Sequence, residues 1–186
     1  MIDKDEIFIP KIPHGKYADI EEKVAQLYKE QNICTLPIDP FGIIKNRGYQ
    51  LIPFSRLDNA GRRACNDNDA ISFFDYRSGN TTIVYNENTS RRRVRFTLMH
   101  EIGHIDLGHK CESELARRMA DYYAGYALAP SPLISKFAGN NVKKISSIFD
   151  ISHECAKICG ARCQNWVMYG GDFLKPYEID ILNRFQ

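Results

Sequence analysis

No apolar run in this 186-residue sequence approaches the roughly 18 residues that a membrane-spanning helix needs. The N-terminus, Met1-Ile2-Asp3-Lys4-Asp5-Glu6-Ile7-Phe8-Ile9-Pro10, carries charges where a signal peptide has a continuous apolar stretch. Both absences lead to the expectation of a soluble, cytoplasmic protein. Charge of one sign is also scarce. The 25 Lys and Arg against 23 Asp and Glu leave a formal +2, too little for the broad basic footprint of a nucleic-acid binder. Internal repeats and low-complexity tracts are missing. No C-x-x-C pair occurs among the six cysteines (34, 65, 111, 155, 159, 163). With no export signal these are expected as reduced thiols. Cys155, Cys159 and Cys163 recur every four residues, one stripe on a helix, and read as buried or half-buried thiols.

What is there suits one globular domain. A hydrophobic content of 44% over this length can bury a real core. Ala18 to Gln31 has Ile20, Val24, Leu27 and Tyr28 on one helical face. Asp39 and Pro40 form a cap and first position for a short helix from Phe41 to Asn46, which Gly48 ends. Tyr49 to Phe54, Ala70 to Tyr76 and Thr81 to Asn86 read as strands, the last two joined by the turn Arg77-Ser78-Gly79-Asn80. From Ser90 the pattern is helical, at 90–109, 112–128, a short piece after Pro132, 141–149 and 152–165. Strands followed by helices predict an α+β fold: a small, mostly antiparallel sheet beside a helical bundle, zincin-like around one central helix. A single domain over 1–168 and a C-terminal tail over 169–186, set off by Gly170-Gly171, are expected.

The chemistry lies in His100-Glu101-Ile102-Gly103-His104. Histidines at i and i+4 share a helix face with Cβ atoms about 6 Å apart, within reach of one ion. Glu101 sits where the H-E-x-x-H metallopeptidases keep their general base. A purely structural zinc site has no need of such a base. On a wheel of 100° per residue, Val94, Leu98, Ile102 and Ile105 form an apolar stripe, with His100 and His104 nearly opposite and Thr97 and Glu101 beside them. Gly103 leaves room there for another chain segment.

A catalytic zinc needs a third protein ligand and an open position. His109 falls one residue short of the metzincin spacing, and the wheel turns it toward the apolar stripe, so it is set aside. On the following helix, Ala116, Ala120, Ala124 and Ala127 form a face suited to close packing. Asp121 borders that face and is the preferred third ligand. Glu114 is the alternative, about 10 Å away along the axis. Tyr122, Tyr123 and His109 are the candidates for supporting an oxyanion.

Thr82 to Pro130 resembles the ImmA/IrrE family of intracellular metallopeptidases. The resemblance runs through Ile83-Val84-Tyr85-Asn86, Arg95-Phe96-Thr97-Leu98-Met99, the H-E-x-x-H pentapeptide and Leu107-Gly108-His109. Met119-Ala120-Asp121-Tyr122-Tyr123-Ala124-Gly125-Tyr126-Ala127-Leu128-Ala129-Pro130 is similar to the family's Glu-Ala-Asn/Asp-x-Phe-Ala-x-x-Leu-Leu-x-Pro segment. With Leu36-Pro37-Ile38-Asp39 it covers most of 18–165. It implies a zinc site and regulated proteolysis, often of a helix-turn-helix repressor from a mobile element or stress circuit. One position departs: Met119 stands where the family often has glutamate, and methionine is a poor zinc ligand. If that glutamate is the family's third ligand, Asp121 or Glu114 must replace it here, or the metal binds weakly.

Two further features have bland readings. Arg91, Arg92, Arg93 and Arg95 open the histidine helix, where its dipole disfavours cations. They read as a solvated helix start, with Arg95 paired to a buried carboxylate such as Asp106, or else as a guide for an acidic partner. Val142 to Cys163 has the outline of a helix-turn-helix reader, but its turn lacks glycine and its second helix has only Lys157 and Arg162 as cations. Packing helices are expected. The reading is therefore a zinc peptidase, with one zinc on His100, His104 and Asp121 and Glu101 as base, that cuts a repressor-like protein. The alternative is a metal-containing regulator or toxin–antitoxin component that binds DNA or protein without proteolysis.

Overall fold

The computed structural model describes residues 11–65, 68–76, 79–111, 113–170 and 173–185. The N-terminal decapeptide and Arg77-Ser78 of the hairpin turn lie outside them. The described residues form nine α-helices and a three-stranded sheet, an α+β fold.

The first helix, α1 (His14–Glu30), buries Ile20, Val24, Leu27 and Tyr28 and ends where Asn32 takes φ 50°. In α2 (Pro40–Asn46) the Asp39 carboxylate accepts the Phe41 amide at 3.1 Å and Pro40 opens the first turn, the cap legible in the sequence. Next come β1 (Gln50–Pro53), a 3₁₀ turn (Phe54–Arg56) and α3 (Asn59–Ala64), then β2 (Ala70–Asp75) and β3 (Asn80–Tyr85).

The sheet is mixed rather than mostly antiparallel. Its order is β1-β3-β2; β2 and β3 pair antiparallel from Ala70↔Tyr85 to Asp75↔Asn80, and β1 pairs parallel with β3 from Gln50↔Thr82. The cause is α3, which the residue pattern did not announce. It carries the chain past the central slot, so β2 runs against β1 and β3 returns between them along β1. Thr82, Ile83 and Val84 are buried in succession, as in a strand covered on both faces.

The site helix α4 (Arg91–Asp106) packs along α5 (Glu114–Leu128). Ala120, Ala124 and Ala127 are fully buried, the small face that permits close approach. A Cβ on Gly103 would meet the Tyr123 side chain at 3.0 Å. Tyr123 cannot retreat, because its hydroxyl donates to Asp106, whose carboxylate also holds Arg47 at 2.6 Å. Asp106 is thus not the partner of Arg95. That arginine, 3% exposed, donates to the carbonyls of Ile38 (2.7 Å) and Asp150 (3.2 Å) and meets the Asp150 carboxylate at 3.4 Å. Arg91 and Arg92 reach the same carboxylate, so a partner across the fold offsets the dipole cost at the start of α4.

Then follow α6 (Ser131–Phe137), α7 (Val142–Phe149) and α8 (His153–Tyr169). Ile145, Phe149, Ala156, Cys159 and Cys163 are buried, Cys155 is half-buried and all six cysteines are free thiols. Of the two cations on α8, Arg162 is buried against the carbonyls of Gly125 and Ala129, and Lys157 pairs with Glu154. The C-terminal stretch, to which the sequence assigned no structure, carries α9 (Pro176–Arg184). Its Ile181 and Phe185 join the main core, and Glu178 accepts the Trp166 indole N–H at 2.6 Å. Among the described residues no helix is long and apolar enough to cross a membrane.

Replacing Gly103 by alanine should destabilise the protein by about 1–2 kcal/mol, since overpacking at a pinned ring outweighs the better helix propensity of alanine. Urea unfolding reads this directly. A Gly103→Ala protein with an unchanged or raised midpoint would show that the α4–α5 contact is slack.

Candidate active site

With Leu98 and Ile102 fully buried on the inner face of α4, the opposite face presents Thr97, His100, Glu101 and His104 to a cleft of about 420 Å³. The opposite walls are the edge strand β2 at Ala70, Ile71 and Ser72, and α5 at Asp121. Glu101 is 7% exposed at the cleft wall. His100 Nε2 and His104 Nε2 are 3.0 Å apart. The outer nitrogens are held as well: His100 Nδ1 is 2.8 Å from Asp121 Oδ1, and His104 Nδ1 is 3.0 Å from His109 Nδ1.

His109 is where the helical wheel did not put it. α4 ends at Asp106, and Gly108 takes φ +67°. The Gly108 amide donates to the Ile105 carbonyl and the His109 amide to that of His104, the paired bonds of a Schellman ending. The chain reverses and brings the His109 ring to 5.0 Å from that of His104. The signal was present, since a glycine just past the last periodic residue marks a helix end beyond which a wheel has no meaning.

The two carboxylates proposed as third ligand separate clearly. Asp121 lies at the cleft, but on the His100 nitrogen that faces away from His104. Glu114 is ion-paired to Arg118 on its own helix at 3.1 Å. The tyrosines considered for oxyanion support are engaged elsewhere, Tyr122 with Glu21 and Tyr123 with Asp106.

Residues 64–157, half of the chain, match the family described as Peptidase_M78, IrrE N-terminal-like domain. The chain belongs to that family. A solved structure titled Mycobacterium tuberculosis transcriptional regulator shares the fold, with TM-score 0.54 and 11% identity over 78% of this chain. The chain spans 46% of that protein's length. No curated protein matches it in sequence.

Membership in this metallopeptidase family makes the fit of a metal the question to put to the geometry. Tetrahedral zinc with Zn–N bonds of about 2.0–2.1 Å places two ligand nitrogens roughly 3.3–3.4 Å apart. The 3.0 Å between the Nε2 atoms needs to open by only a few tenths of an ångström. The histidine pair therefore fits a zinc ion. A third protein donor is not gathered with it, and among the described residues no cluster of three His, Cys, Asp or Glu side chains is arranged to hold a metal. Met119, at the position where the family often has glutamate, packs against the core and is not among the residues walling the cleft.

Burial, and secondarily the charge of His100, holds the His109 pKa below the ordinary histidine value. The unfolded chain then takes up this proton near pH 6.5 while the folded chain still resists it. The stabilisation is complete above about pH 6.5 and is lost as pH falls through the depressed folded value. Thermal melts of chelator-treated protein from pH 8 to 5 should fall less steeply for His109→Gln than for wild type. Parallel slopes would show that neutral His109 contributes nothing to this dependence.

Proposed function

We propose that the chain is a zinc-dependent peptidase that cleaves a regulatory protein of the helix-turn-helix repressor class. The observation that carries this reading is the convergence of two imidazole Nε2 atoms and a buried glutamate on one cleft. His100 and His104 would hold the ion, which when bound polarises the scissile carbonyl and lowers the pKa of a neighbouring water toward about 7. Glu101 accepts the proton of the attacking water and passes it to the leaving amine, the usual work of a general base that later serves as acid. Asp121 keeps the His100 ring in orientation through Nδ1. The β2 edge lets an extended peptide lie along the cleft with its carbonyls toward Glu101. The site serves a protein that works inside the cell, next to the repressors it cuts.

One observation favours a second reading, a metal-binding regulator without turnover: the described side chains supply two donors where hydrolytic zinc sites have three. The similar solved structure is titled a transcriptional regulator, and that title describes the other protein.

The two readings separate on Glu101→Gln. For the peptidase, this variant retains zinc and cuts a repressor encoded nearby about 10²–10⁴-fold more slowly, the usual contribution of a general acid–base group. His100→Ala should drop bound zinc well below one per chain. Equal cleavage by wild type and Glu101→Gln would end the assignment of the base. Zinc binding with no Glu101-dependent cleavage of any candidate repressor would favour the regulator.

A further inference from the structure

Four side chains form a row: Asp121 Oδ1 to His100 Nδ1 at 2.8 Å, His100 Nε2 to His104 Nε2 at 3.0 Å, and His104 Nδ1 to His109 Nδ1 at 3.0 Å. A carboxylate only accepts, and a neutral imidazole donates from one nitrogen and accepts at the other. Asp121 therefore takes the Nδ1 proton of His100 and leaves Nε2 as a lone pair. His104 then donates from Nε2, and its bare Nδ1 accepts from Nδ1 of His109. The single carboxylate fixes the direction of the whole row.

We propose that Asp121 and His109 are positioning residues for the metal pair and not ligands. Asp121 locks His100 in the tautomer that offers Nε2 to an ion, and His109 exchanges donor and acceptor roles with His104 when the ion arrives. This rests on the reading of the cleft as a metal centre. An ion between the two Nε2 atoms displaces the His104 Nε2 proton. His104 regains a proton at Nδ1 and donates it to His109 Nδ1, whose own proton leaves and is replaced at Nε2. Each ring loses one proton and gains one through solvent, so the row carries the same number before and after. His100 does not change, because Asp121 has already set it. The Schellman turn at Gly108 is what makes the exchange possible, since it alone places His109 against the outer nitrogen of His104.

The test uses the full chain labelled with ¹⁵N-histidine at pH 8, metal-free and then with zinc. His100 should be protonated on Nδ1 in both states. On zinc addition His104 should move from the Nε2–H to the Nδ1–H form, and His109 from Nδ1–H to Nε2–H. Asp121→Ala should release His100 into a tautomer mixture in the metal-free protein and weaken zinc about 10–100-fold in chelator competition, as loss of such an outer partner does. Asp121→Asn, whose amide oxygen still accepts, should restore most of both. His109→Phe should weaken zinc over the same range while His100 stays fixed. Asp121→Asn losing zinc as deeply as His100→Ala would make Asp121 a ligand and overturn the proposal. Wild type that binds zinc with unchanged His104 and His109 tautomers would overturn it alone, and wild type that binds no zinc would overturn it together with the metal-centre reading.

Discussion

Gly103 lies in the middle of α4 with the ring of Tyr123 where a side chain would otherwise be, and the site geometry follows from that contact. The close approach brings α5 near enough for Asp121 to reach across to His100. A looser crossing would leave a carboxylate that is half in solvent to turn outward. The contact is held by more than packing, because Asp106 binds Tyr123 from α5 and Arg47 from the end of α2 through one carboxylate. Burial raises the Tyr123 pKa and the Asp106 carboxylate adds to it, so the phenol stays a donor. Three helices are thus fixed to one another beneath the histidines, away from the cleft. A metal-binding face needs this rigidity below it, since a shift of an ångström would pull apart the nitrogens that must share one ion.

The opposite end of α4 is tied down in a different way. Four arginines at a helix start are unfavourable in isolation. Here Asp150, in a left-handed conformation between α7 and α8, collects Arg91, Arg92 and Arg95, and Arg93 turns to Asp69 beside β2. The charges that looked like a guide for an acidic partner join α4 to the sheet on one side and to the last helices on the other. Arg91 remains the most exposed of the four.

The regions of this molecule legible in its sequence are those governed by local periodicity. The apolar stripe of α4, the alanine face of α5, the cap at Asp39 and the three strands all appear where the residue pattern puts them, because burial on one face leaves a direct mark on residue choice. What could not be read depended on geometry between elements. The parallel pairing of β1 follows from the path of α3, a six-residue helix too short to show a period. The partner of Arg95 lies 55 residues away, and nothing local distinguishes Asp150 from Asp106. For α9 the cause is similar: it depends on contacts with α1 and α6 far back in the chain. His109 is the instructive failure, because a helical wheel was extended past Gly108, where the backbone had left the helix.

The same distinction bears on Met119. A glutamate there would be read by motif as a ligand, and its absence reads as damage. Yet the methionine packs against the core, and the nearby carboxylate, Asp121, touches the histidine pair from its outer side. Two imidazoles without a third protein donor form a weaker metal site than a three-ligand one, and weaker sites depend more on how well their ligands are held in advance. In this chain both histidines have their outer nitrogens engaged, one by a carboxylate across the helix interface and one by a neighbour returned by a glycine turn. Preorganisation of the pair is the physical compensation open to a site that has lost a donor, and the fold supplies it at both rings.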